Sequence, residues 1–277
     1  ADAEMIAMAA EAMRAAGAAT GEFTVRVNTR RLLNAVLNSV GATDEVARLT
    51  ILRALDKLDK FGASGVADLL GAGRKDESGD FTKGAGLDEA TVKRDLAFAE
   101  AGRETRGATV EALGAAVGTS EEGAAGLAEL DAITRALEAL GAPESDVTFD
   151  PSVVRGLEYY TGPVYEAELL KDTIDEDGNT VRIGSVGGGG RYDDLIARFT
   201  GERIPGTGFS VGISRLAAAL AIGGAMDQLN GPVVILNMDR EDPSEALKLA
   251  TELRAAGIRA EAYMGSSGMR PQMKYAD

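Results

Sequence analysis

The sequence predicts an α+β chain in four segments. A first part of a core spans 1–43, a helical insertion 44–145, a second part of the core 146–226, and the start of an α/β domain 227–277. Three observations lead there. Strand-like alternation appears before residue 44 and again after 146, with only helical patterning between. Glycine-rich strand-to-helix turns fill 187–212. Finally, the continuous apolar run Val233-Val234-Ile235-Leu236 is followed by a helical and then a second strand pattern, the mark of a βαβ unit around a buried parallel strand.

Taken in order, Met5, Met8, Ala9, Ala12, Met13 and Ala16 recur at helical spacing, and Gly17 supplies a stop. Phe23, Val25 and Val27 alternate as one face of a strand. Asn28 or Thr29 then caps a helix with Leu32, Leu33, Val36, Leu37 and Val40 on its apolar side. Arg26, Arg30 and Arg31 read either as solvated surface charges or as an anion site. In the insertion, Val46, Leu49, Leu52 and Leu55 mark one helix, and Val66, Leu69 and Leu70 a shorter one. Val92, Leu96 and Phe98 mark a third, and Leu127, Leu130, Ile133, Leu137 and Leu140 the clearest amphipathic helix. Gly71–Gly86 reads as a polar loop, whose Arg74, Lys75 and Lys83 either touch a phosphate backbone or are balanced by Asp76, Glu77 and Asp80. Asp177-Gly178 is a hairpin turn between strands at 165–174 and 180–186. Gly141 and Pro143 close the insertion, and Pro243 opens the helix carrying Leu247, Leu249, Ala250 and Leu253.

Composition narrows the chemistry. With no Cys and no His in 277 residues, there is no thiolate nucleophile and no imidazole base or ligand. Apolar content of 45% and charged content of 26% fit a globular protein. No apolar run approaches the ~20 residues of a membrane span, and no basic-then-apolar leader precedes the first helix. The net charge of −15 opposes broad nucleic-acid coating but leaves room for a partner read through a local basic patch. Lacking an initial Met and ending without a closing element, the chain reads as a fragment of a longer protein.

Arg, Lys, carboxylates, Tyr and backbone dipoles therefore remain to carry any reaction. Arg155 and Arg215 each sit beside a glycine at the edge of an apolar element, and each reads as a structural ion-pair partner or as a catalytic cation. Tyr159 and Tyr160, if on a strand, point to opposite faces, one to core and one to a pocket, and Tyr192 has the same two readings. Gly187–Gly190 lack the Lys-Ser/Thr of a phosphate loop, and Gly206-x-Gly208-x-x-x-Gly212 misses the dinucleotide fingerprint by one residue. These glycines fit either a tight turn or a ligand lying against backbone.

Three segments, Val153–Glu166, Gly187–Asp193 and Gly206–Leu216, resemble in sequence and order the histidine-site signatures and motif 3 of histidyl-tRNA synthetases. Asp2-Ala3-Glu4 and the helix after it resemble the segment following motif 2, and Val233 onward resembles the start of the anticodon-binding domain. The resemblance is least across the helical insertion. It implies part of a class II catalytic core built on an antiparallel sheet. It also implies a homodimeric cytoplasmic ligase that activates histidine with ATP, carried with Mg²⁺ and needing no protein-held metal, and then charges tRNA(His). By position, Arg155 matches the catalytic arginine on the α-phosphate and the histidine carboxylate, and Arg215, with Gly212 beside it, matches the ATP site. Tyr160 and Tyr192 match the imidazole pocket, and Gly188, Gly189 and Gly190 the glycine strand of the histidine site. Glu158 departs from the family's usual Asp. Motifs 1 and 2 would precede residue 1, so residues 1–277 alone are expected to be inactive in aminoacylation. The alternative within the resemblance is the non-catalytic, synthetase-like regulatory subunit of ATP phosphoribosyltransferase.

Overall fold

A computed structural model describes the chain except residues 76–78, 118, 155–158, 171–172, 175–179, 223–230, 240 and 277, and the side chains of 173–174, 181 and 220–222. Two compact units result, Ala1–Ala225 and Met226–Asp277.

The first unit opens with α1 (Asp2–Ala15), which buries Ala3, Ile6, Ala9, Ala10 and Met13. Met8, placed on the apolar side by spacing, is instead exposed. Strand β1 (Phe23–Thr29) leads into α2 (Arg30–Ser39), whose first turn is capped by the Thr29 hydroxyl accepting from the Arg31 N–H. Helices α3 (Glu45–Leu55) and α4 (Leu58–Leu70) follow, α4 being kinked at Gly62 where φ is 64°. Val46 is exposed, and Ile51, Leu52, Ala54 and Leu55 form the buried side of α3. The stretch read as a polar loop contains a short hairpin of β2 (Gly73–Lys75) and β3 (Phe81–Lys83). There Arg74 stacks on Phe61, its guanidinium carbon 4.2 Å from the ring centre. Then come α5 (Glu89–Ala99), α6 (Arg106–Val117) and α7 (Glu121–Ala139). Of these, α6 escaped the periodicity reading because its apolar residues are spread around the helix rather than along one stripe.

The core returns with β4 (Val147–Phe149) and β5 (Pro163–Leu169). A two-residue ladder joins β6 (Thr173–Ile174) to β7 (Thr180–Val181), while the Asp177-Gly178 turn expected between them lies outside the described residues. Strand β8 (Gly184–Arg191), the short α8 (Ala197–Thr200), β9 (Thr207–Val211) and α9 (Ile213–Ile222) complete the unit. The sheet order is β4-β1-β5-β8-β9, antiparallel except for the β1–β4 pair.

Strand parity divides this sheet into two faces. Val27, Tyr165, Gly189 and Phe209 are register neighbours on one face, and the helices of 44–139 share the core with it. The row Arg26, Glu166, Gly188 and Ser210 lies on the other. Arg26 is not a solvated charge. Its guanidinium lies 2.9 Å from Asp59, 3.1 Å from Asp150, 3.7 Å from Glu166 and 3.0 Å from Glu168. Burial opposes its charge, but the carboxylates outweigh that and raise its pKa.

The second unit pairs β10 (Val233–Ile235) in parallel with β11 (Ala260–Ala262) through α10 (Ser244–Ala255), and ends in α11 (Met269–Ala276). The Gln272 amide continues the strand pattern beyond β10. It accepts from the Asn237 N–H at 2.8 Å and donates to the Asn237 carbonyl at 2.9 Å.

Candidate active site

The site begins with why β8 carries four consecutive glycines. A Cβ on Gly189 would lie 2.1 Å from the Gly208 carbonyl and 2.6 Å from the Tyr165 ring. One on Gly187 would meet Phe209 at 2.6 Å. These two positions let Tyr165 and Phe209 stack across the strand, 6.2 Å between ring centres. Burial pushes the Tyr165 phenol up to about 12. It therefore stays protonated and donates to the Gly208 carbonyl at 2.9 Å, locking β5 to β9.

Glycines of the other parity serve the open face. A Cβ on Gly190 would sit 2.8 Å from the Tyr160 ring, and one on Gly208 would sit 2.5 Å from the Tyr192 hydroxyl. Tyr160 and Tyr192 therefore approach the sheet directly, 6.5 Å between ring centres. A cavity of about 380 Å³ opens on this face, lined by Tyr159, Tyr160, Gly188, Ser185, Ser210 and Arg215, with the backbone of 186–187 and Gly212.

The expected division of Tyr159 and Tyr160 between opposite faces does not occur. They sit in the turn before Pro163 rather than on a strand, and their rings contact at 4.3 Å on the same cavity. Thr161-Gly162-Pro163 is the signal for that break, since strand pairing starts only at Pro163.

The connection from β8 to β9 is held by Arg191 and Asp193. Arg191 donates to Asp2 from Nε at 3.0 Å and Nη2 at 2.6 Å, and to Asp193 at 2.9 Å. Asp193 also accepts from the Gly206 N–H at 3.1 Å, while its own N–H donates to the Thr161 hydroxyl at 3.1 Å. This clamp orients Tyr192, whose N–H donates to the Gly206 carbonyl at 2.8 Å. Nearby, Thr29 donates to Glu129, whose pKa burial raises. Asp2 and Thr161 were missed as supports because their partners at 191 and 193 are distant in sequence, and Asp193 because it joins the nearby Arg191 to the more distant Gly206 and Thr161.

At the far end of the cavity Gly212 starts α9, its N–H donating to the Val186 carbonyl at 2.7 Å. Arg215, one turn along, is exposed and donates to the Ile183 carbonyl at 2.9 Å. Of the sequence-predicted residues, Tyr160, Gly188, Gly212 and Arg215 line one cavity, and Tyr192 and Gly190 adjoin Tyr160. The Cβ position of Gly189 points to the core face. Arg155 and Glu158 lie outside the described residues. Ser185 and Ser210 are additions that spacing did not single out. Chemically, the arrangement offers a flat aromatic end, a backbone floor and a cationic end. No helix among the described residues is long and apolar enough to cross a membrane.

Comparison with known proteins concerns the chain as a whole. The histidyl-tRNA synthetase family model matches residues 1–216. The histidine–tRNA ligase of Caulobacter vibrioides is 54% identical over 280 residues, covering 100% of this chain and 57% of that protein. That of Brucella ovis is 53% identical over 284 residues, covering 100% of this chain and 56% of that protein. The chain thus spans a little over half the length of the curated relatives it matches. Among solved structures, histidyl-tRNA synthetase from Nostoc sp. PCC 7120 superposes with a TM-score of 0.65 at 27% identity, over 99% of this chain and 60% of that one. An ATP phosphoribosyltransferase regulatory subunit/histidyl-tRNA synthetase from Bacillus halodurans C superposes with a TM-score of 0.60 at 25% identity, over 99% of this chain and 62% of that one. On its sequence and its fold, the chain belongs to the histidyl-tRNA synthetase family.

Proposed function

We propose that the full-length protein is a cytoplasmic, homodimeric histidine–tRNA ligase that forms histidyl-adenylate from histidine and ATP and then charges tRNA(His). The observation that carries this reading is the cavity framed by paired tyrosines at one end and Arg215 at the other, over a glycine floor, in a chain of this family. Tyr160 and Tyr192 receive the imidazole, with Gly188, Gly189 and Gly190 forming the strand beneath it. Gly212 and Arg215 take the nucleotide, and the amino end of α9 favours its negative charge. Mg²⁺ arrives with ATP as part of the substrate.

The reaction suits a chain without His or Cys. The substrate carboxylate is already an anion, so it attacks the α-phosphorus without a general base, and pyrophosphate leaves. The ester to tRNA then forms by attack of a terminal ribose hydroxyl on the adenylate carbonyl, releasing AMP. The protein's task is to hold the two ligands in line and to stabilise charge growing on the α-phosphate. Arg155 is the residue assigned to that charge.

Histidine-dependent ATP–pyrophosphate exchange by the full-length protein tests the reading. Arg155→Ala should lower exchange by about 100-fold or more, the usual cost of removing a transition-state charge partner. Exchange that survives undiminished removes Arg155 from this role. Absence of histidine-dependent exchange in the wild type removes the ligase reading and favours a regulatory subunit.

A further inference from the structure

The open face of β8 orders the cavity along one line. Tyr160 lies over Gly190, Ser210 pairs in register with Gly188, Gly212 bonds to Val186, and Arg215 bonds to Ile183. At about 3.4 Å per strand residue, Gly190 and Ser185 are roughly 17 Å apart, and Ser210 falls roughly 7 Å from the aromatic end. An amino acid joined through its carboxyl group to a nucleoside monophosphate has comparable length. With its side chain at the tyrosines and its base toward Arg215, its phosphate and sugar cross the middle.

Ser210 stands in that middle. Its side chain is exposed in the cavity, and its register neighbour Gly188 carries no side chain to cover it. Among the described residues the Ser210 hydroxyl has no protein hydrogen-bond partner. The other cavity serine, Ser185, turns its hydroxyl toward the Gly187 carbonyl at 3.4 Å. An aliphatic hydroxyl both donates and accepts, which complements a sugar diol, whereas a phosphate needs donors only.

We infer that Ser210 is a specificity residue that hydrogen-bonds a ribose hydroxyl of the bound nucleotide. The inference rests on the adenylation reading for the ligand's orientation and goes beyond it in assigning the sugar contact.

The test measures binding of ATP, 2′-deoxyATP and 3′-deoxyATP to the full-length protein by calorimetry, for wild type and Ser210→Ala, with histidine-dependent exchange assayed in parallel. The wild type should bind ATP about three- to tenfold more tightly than one deoxy analogue, the worth of one neutral hydrogen bond. Ser210→Ala should weaken ATP by that factor and leave that analogue unchanged. Equal weakening of all three nucleotides, no weakening of any, or no discrimination by the wild type overturns the inference. So does a failure to bind ATP, which overturns the adenylation reading as well. If the nucleotide pattern holds while exchange does not respond to histidine, the sugar contact stands and the ligase reading falls.

Discussion

At the residue scale, buried charge is the most legible source of behaviour. Asp95 on α5 is fully buried, and neither carboxylate oxygen has a hydrogen-bond partner among the described residues. Burial pushes it up to about 6, against the opposing pull of Arg94 at 3.8 Å. The folded state thus binds a proton that the unfolded chain gives up near pH 4. Above pH 6 the folded protein bears the full cost of the buried anion, and that cost fades as pH falls from 6 toward 4. Asp95→Asn should therefore raise stability by about 1–3 kcal/mol at pH 7.5. Paired melting curves at pH 7.5 and 4.5 should show the gain shrinking in acid. A variant whose advantage is the same at both pH values would remove the charge as its cause. Sequence gave no warning here, because Asp95 stands between polar and apolar neighbours on an ordinary helix. Arg26 was equally hidden, since its partners at 59, 150, 166 and 168 arrive from other elements.

Elements were easier to read than the contacts between them. The period of apolar residues located α2, α5 and α7 because each buries one stripe. It missed α6, which buries Arg106 along with Leu113. The guanidinium of Arg106 donates from its two Nη atoms to the carbonyls of Ala142, Pro143 and Val147, just after α7, while its buried Nε lies 3.6 Å from Glu144 without a hydrogen bond. Parity on β8 was also invisible, as four identical residues give no alternation to read; the partner rings alone separate Gly189 from Gly190. Close approach of α2 and α7 rests on a similar device. A Cβ on Gly126 would lie 2.8 Å from Leu32 Cγ and 3.1 Å from Arg31 Cβ. Gly126→Val should force these helices apart and destabilise the protein by about 1–3 kcal/mol, the usual cost of overpacking. Denaturant unfolding checks this, and an unchanged midpoint would show that Leu32 can swing aside.

The molecule as a whole carries 44 acidic against 29 basic residues. Its best-placed cations, Arg26 and Arg191, are each partly buried among carboxylates. Those contacts are shielded from salt, whereas the surplus of surface acid repels itself. Raising NaCl from about 20 to 300 mM shortens the screening length from roughly 20 to 6 Å. The melting temperature should rise by a few degrees, and a fall on adding salt would mean that surface ion pairs outweigh the repulsion. The chain divides into the units Ala1–Ala225 and Met226–Asp277. The cavity was not legible in the sequence, since its lining is drawn from 159–160, 185–188 and 210–215.

The place of β1 in the sheet has a consequence for synthesis. Its neighbours β4 and β5 begin at Val147 and Pro163, so β1 lacks both of these partners until more than a hundred further residues have been made. At about 5–20 residues per second, that interval lasts roughly 6–30 seconds on the ribosome. Throughout it the nascent chain offers the Phe23–Thr29 strand without these two partners, the kind of open edge at which chains associate with one another.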